Sequence, residues 1–165
     1  MLFDSSDLGT ADPTRYLKKD TVACNELVRE AIENVQKRFY MAPIQFETEL
    51  PDSTTIKTNR LYLIRTIKEL LNNAAKYSDR QHISLYLSQT DTAIRFVIED
   101  VGPGLPKDFN EFLFTSFTKV DDSSEGLGLG LPLCKRHIAG LGGNLTYDES
   151  YKQGCRFIWE LPNTP

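Results

Sequence analysis

The chain has 165 residues, of which 40% are hydrophobic, 25% charged and 10% aromatic, the profile of one ordinary soluble domain large enough to need neither disulfides nor a structural metal. Two histidines, His82 and His137, and three cysteines, Cys24, Cys134 and Cys155, with no CxxC pair, exclude a zinc site of ordinary ligand spacing and the usual haem and iron–sulfur motifs. Nineteen basic against 23 acidic residues, a net charge of -4, is the wrong balance for a domain whose main partner is nucleic acid, so any anion site must be local.

The opening MLFDSSDLGTADP lacks the basic-then-apolar order of a signal peptide, and no apolar run approaches the roughly 20 residues of a spanning helix. Residues 1–14 read as a tether from a preceding domain and residues 15–165 as the domain itself. A cytoplasmic setting is expected, because three scattered cysteines without a surrounding basic cluster behave as small buried apolar residues in a reducing compartment.

From Asn25 the residues Leu27, Val28, Ala31, Ile32, Val35 and Phe39 recur at helical spacing, so a first helix is predicted, ending near Tyr40. Ile44–Leu50 alternates and stops at Pro51-Asp52, a strand, and Thr55–Thr58 is a candidate short strand. Asn59 is a candidate N-cap for a second helix running to Tyr77, rich in helix formers and free of Gly and Pro. Ile83–Leu87 and Ala93–Ile98 read as a hairpin. After a glycine-rich and polar stretch, a helix is expected near Leu131–Leu141, then strands over Asn144–Tyr147 and Cys155–Leu161. Helices and strands mix without strict βαβ alternation, which gives an α/β sandwich with a largely antiparallel sheet backed by helices.

Four places can carry chemistry. On the second helix Glu69, Asn73, Lys76 and Tyr77 share one face, with Leu63, Ile67, Leu70 and Ala74 expected opposite them in the core. A solvated surface accounts for such a stripe; so does a carboxylate and an amide oxygen holding Mg²⁺ beside nucleotide phosphates, with Lys76 adding a charge. In Glu99-Asp100-Val101-Gly102-Pro103-Gly104 a strand runs out into a turn, or a carboxylate accepts from an exocyclic amine while glycines let the chain pass flat against a ring. Gly126-Leu127-Gly128-Leu129-Gly130-Leu131 leads into a helix and offers successive N–H groups to phosphate oxygens, although it is neither GxxxxGK[ST] nor GxGxxG after a strand. Between them, residues 107–125 hold Phe109, Phe112, Phe114, Phe117 and Lys119, readable as a surface loop or as a hinged lid.

The order ELLNNAAKY, DVGPG, FTSFTK, GLGLGL resembles the N, G1, F and G2 boxes of the ATP-binding catalytic domain of sensor histidine kinases, within the superfamily that includes gyrase, Hsp90 and MutL. The resemblance extends more weakly from about Asp20 to Pro162. It implies a Bergerat-type two-layer sandwich, about five mixed, mostly antiparallel strands against three helices, with an ATP lid. It implies ATP and Mg²⁺ as ligands. By its terms Asn73 is the Mg²⁺-binding asparagine, with Glu69 a second candidate; Lys76 and Tyr77 border phosphate and sugar; and Asp100 reads adenine. Gly102 and Gly104 are the G1 glycines, Phe114 and Phe117 the F box, and Gly126, Leu127, Gly128, Leu129 and Gly130 the G2 segment. Glu69, Asn73 and Lys119 are the candidate catalytic residues.

Two departures stand out. Many sensor kinases have asparagine where Glu69 stands; glutamate is the general base of the superfamily's ATPases, so Glu69 is open to roles as metal neighbour, base toward imidazole, or water activator. Cys155 stands where the family has Thr or Ser. The implied activity is γ-phosphate transfer to a histidine on a separate dimerisation domain of the same parent, with a response regulator downstream, no nucleic acid partner, and a monomeric isolated domain on the cytoplasmic side of what could be an inner-membrane sensor. Neither His82 nor His137 has the acceptor context of H-[ED]-x-[KR]-x-P. A self-contained ATPase of the gyrase, MutL or Hsp90 kind, an anti-sigma-type serine kinase and a non-catalytic nucleotide-sensing module are the rival readings.

Overall fold

A computed structural model describes residues 16–39, 41, 43–103 and 127–163. Two layers build it. The main sheet has the strand order β2 (Gln45–Thr48), β4 (Ile83–Gln89), β5 (Ala93–Asp100), β7 (Arg156–Pro162), β6 (Thr146–Tyr147); β2 runs parallel to β4 and every other neighbour is antiparallel. Three helices among the described residues, α1 (Cys24–Arg38), α2 (Arg60–Tyr77) and α3 (Leu127–Gly140), share one hydrophobic core with the sheet. This is the sandwich expected from the mixed pattern of helices and strands.

Side-chain alternation decides what each strand sends inward. Ile83, Leu85 and Leu87 on β4, Ile94, Phe96 and Ile98 on β5, and Phe157, Trp159 and Leu161 on β7 are all buried. Phe96 lies opposite Trp159 in register, and their rings stack at 5.0 Å with an interplanar angle of 3°. The period that buries Ile94, Phe96 and Ile98 also places Asp100 on the inner face, so a carboxylate ends an apolar row.

One element absent from the sequence expectation is β1 (Asp20–Ala23), which pairs antiparallel with β3 (Thr55–Thr58) as a separate two-stranded ribbon. Its four residues are too few to show a period, and pairing with a segment 35 residues away stabilises it. The helix α1 therefore begins without a side-chain cap, directly from the strand at Ala23. Ahead of β1, Tyr16 is 7% exposed and its hydroxyl lies 2.9 Å from His137 Nδ1, so the chain is already packed there. The proposed tether, 1–14, lies outside the described residues.

The N-cap of α2 is as predicted. Asn59 Oδ1 accepts from the Tyr62 N–H at 3.2 Å, while Asn59 Nδ2 donates to the Lys18 carbonyl at 3.1 Å. One side chain thus starts the helix and holds the entering chain. Asn59→Ala is expected to lower the unfolding free energy by about 1–2 kcal/mol, read from urea denaturation, because both bonds go at once. At the other helix, the boundary moves: α3 begins at Leu127 rather than near Leu131, so residues 127–130 form its first turn, where backbone N–H groups have no partner within the helix.

Candidate nucleotide cleft

A cleft opens between α2, the ends of β5 and β7, and the start of α3. Leu70, Asn73, Ala74 and Tyr77 of α2 face Ile98 and Asp100 of β5, Cys155 and Phe157, and Leu131 of α3. Three polar side chains from two elements thus converge on a wall that is otherwise apolar. Leu70 and Ala74 line the same cleft as Asn73, which corrects the expectation that they lie on the opposite side of the helix: positions i, i+3, i+4 and i+7 form one face.

Asn73 is 6% exposed, and among the described residues neither its Oδ1 nor its Nδ2 has a hydrogen-bond partner. Leaving buried polar groups unpaired costs about 1–3 kcal/mol each, and a ligand in the cleft would offset that cost. Its chemistry suits a hard cation, which takes oxygen donors. Glu69, one turn earlier, is half-buried and does not line the cleft. Burial raises its carboxyl above the ordinary value, against the opposing charges of Lys76 and Arg38. Lys76 is exposed at the last turn of α2.

Asp100 is the other pole. Its Oδ1 accepts from the Cys155 N–H at 3.0 Å, its own N–H donates to the Cys155 carbonyl at 2.9 Å, and its carbonyl accepts from the Tyr151 hydroxyl at 2.9 Å. Backbone and side chain are therefore fixed together. Burial pushes its carboxyl up to about 6 despite the Cys155 N–H, with the negative charges of Asp79 and Glu99 adding to the rise. The turn before β7 fits this carboxylate only because residue 154 is glycine: a Cβ there would lie 2.2 Å from the Asp100 carbonyl oxygen and 2.6 Å from Oδ1. Gly102 serves in the same way against α2, where a Cβ would meet Ser78 Cα at 3.0 Å and the Tyr77 carbonyl at 3.2 Å.

Of the residues singled out in the sequence, Asn73, Tyr77 and Asp100 meet in one cleft, Gly102 packs beside it, and Leu127, Gly128, Leu129 and Gly130 form the adjoining helix start. Gly104, Phe109, Phe112, Phe114, Phe117, Lys119 and Gly126 lie outside the described residues. Tyr151 and Gly154 were not anticipated. A glycine one residue ahead of the predicted strand Cys155–Leu161 was the available signal for Gly154; for Tyr151 there was none, since its partner is 51 residues away. His137 is buried against Tyr16, and His82 pairs with Asp79 at 2.7 Å on the surface, so neither lines the cleft.

No described helix is long and apolar enough to cross a membrane. The model of the histidine kinase-, DNA gyrase B- and HSP90-like ATPase family matches residues 58–165. The chain is 28% identical over 162 residues to the adaptive-response sensory kinase SasA of Synechococcus sp. (strain JA-3-3Ab), covering 93% of this chain and 42% of the relative. With SasA of Nostoc sp. (strain PCC 7120) it shares 31% over 144 residues, 84% of this chain and 36% of the relative. It thus spans less than half the length of these curated relatives. Among solved structures, the mycobacterial sensor histidine kinase MprB superposes with a TM-score of 0.71 at 28% identity, covering 87% of this chain and 97% of that one. Full-length ShkA in complex with AMPPNP gives 0.75 at 27% identity over 87% of this chain and 31% of that one. The chain belongs to the histidine kinase-, DNA gyrase B- and HSP90-like ATPase family, as an ATP-binding catalytic domain of the histidine kinase kind.

Proposed function

We propose that this domain delivers the γ-phosphate of ATP to a histidine on a separate dimerisation domain of its parent protein, from which a response regulator receives it. The observation that carries the reading is the buried Asn73 amide, without a partner among the described residues, sharing one cleft with the buried Asp100 carboxylate. Asp100 accepts from the purine exocyclic amine, and the apolar walls at Ile98, Leu70 and Phe157 cover the ring faces. Asn73 Oδ1 is the protein ligand for Mg²⁺, with Glu69 near enough in the helix to hold one of its waters. When bound, that ion neutralises phosphate charge. Lys76 and Tyr77 border the phosphates and sugar, the N–H groups of residues 127–130 at the start of α3 donate to phosphate oxygens, and Lys119 supplies a further cation for them.

Phosphoryl transfer needs positioning and charge neutralisation more than covalent help, so a rigid cleft with a directed carboxylate and amide is sufficient protein chemistry. A second reading has one observation in its favour. Glu69 is a carboxyl with a raised pKa one turn from Asn73, a fitting base for water in a self-contained ATPase. The two readings separate in one experiment. The domain is mixed with a fragment bearing an acceptor helix, labelled ATP and Mg²⁺. Acid-labile, alkali-stable phosphate on the fragment is the expected result; multiple turnover to free phosphate without transfer would refute the kinase reading.

A further inference from the structure

Of the three cysteines only Cys155 is accessible. Cys24 and Cys134 are 1% and 2% exposed, and burial pushes the first thiol up to about 11 and the second well above its usual value, so both stay protonated and inert. Cys155 is half-buried and lines the cleft. Strand alternation carried two residues back from Phe157 puts its side chain on the inner face, and its two main-chain hydrogen bonds hold that position against Asp100. An independent sign that this space takes a ligand is Asn73, 6% exposed on the facing helix and without a hydrogen-bond partner among the described residues.

We propose that Cys155 is a covalent modification site inside the cleft for soft carbon electrophiles of the α,β-unsaturated carbonyl class, and that the adduct and nucleotide exclude one another. The exclusion rests on the nucleotide reading above; the modification does not. Sulfur bonds to the β-carbon, the carbon–carbon π pair takes up a proton at the α-carbon, and the thiol proton replaces it through solvent. No oxidant, reductant or leaving group is required. The adduct then fills the space beside the Asp100 carboxylate that the purine would occupy.

N-ethylmaleimide is the probe, with intact-mass and peptide analysis, and a fluorescent ATP analogue reports binding. A single adduct on Cys155 is expected, with saturating ATP slowing its formation at least about tenfold and the adduct weakening analogue binding at least about tenfold, the equivalent of one decade in Kd. Circular dichroism of the adduct separates this from unfolding. Cys155→Ser should take no adduct, and its affinity for the analogue, whatever its value, should be unchanged by treatment. Adducts forming first at Cys24 or Cys134, or a Cys155 adduct that binds the analogue as tightly as the untreated chain, overturn the inference and leave the nucleotide reading standing. Failure of the untreated chain to bind the analogue overturns the nucleotide reading itself and the exclusion with it.

Discussion

Asn73→Ala is expected to reduce phosphoryl transfer at least about a hundredfold while the folded domain melts no lower than the parent. Both halves follow from one observation. The amide is buried and its two polar atoms have no partner among the described residues, so its removal relieves a desolvation cost of about 1–3 kcal/mol per group. Against that stands only a small loss of packing beside Leu70 and Ala74. A residue retained for the core would show the opposite pattern, falling stability with activity following it. Transfer to an acceptor fragment and thermal unfolding, measured on the same preparation, check the prediction. Nucleotide binding should persist in part, because Asp100 and the apolar walls are untouched. Undiminished transfer would remove Asn73 from the catalytic machinery.

Asp100→Asn should separate affinity from stability in the same manner. The substituted amide keeps an oxygen for the Cys155 N–H but turns a donor toward a purine amine that needs an acceptor. Loss of a hydrogen bond to a charged group costs about 1.5–3 kcal/mol, so ATP should bind roughly ten- to a hundredfold more weakly by calorimetry. The fold responds the other way. The folded-state carboxyl titrates at about 6 against an ordinary 3.8, so the folded chain prefers the proton, and stability falls as pH rises from about 3.8 to about 6. At about 1.4 kcal/mol per unit, up to about 3 kcal/mol is surrendered at neutral pH to keep a buried charge. The neutral asparagine recovers much of that, and the variant should unfold at a higher temperature at pH 7. The parent's ATP affinity should decline as pH falls through about 6, where protonation removes the acceptor. The variant should lack that dependence. Equal ATP affinity in parent and variant would rule out Asp100 as the purine reader.

Local pattern made much of this legible. Helical spacing in α1, the Asn59 cap of α2, and alternation in β4, β5 and β7 depend on residues a few positions apart, and these elements lie where the spacing put them. The box order from Glu69 to Leu131 identified the family for a related reason: each box is a short contiguous stretch whose residues act together. Boundaries were less secure. The sequence GLGLGL is rich in poor helix formers, so propensity alone kept it out of α3, whereas packing of Leu131, Leu133 and Cys134 into the core extends the helix back to Leu127.

Local periodicity determined the fold class and the three helices and pointed to candidate site residues, because those depend on short-range order in the chain. Which of those residues share a cavity was a tertiary decision. Asn73 and Asp100 are 27 positions apart and on different layers; only the docking of α2 across β5 and β7 turns one into an orphaned amide and the other into a carboxyl titrating near 6. The β1–β3 ribbon, the Tyr16 contact with His137, the fit of Gly154 against Asp100 and the exposure of Cys155 beside it likewise come from segments distant in sequence. Desolvation and steric fit arise only when distant segments meet, and a linear pattern has no term for either.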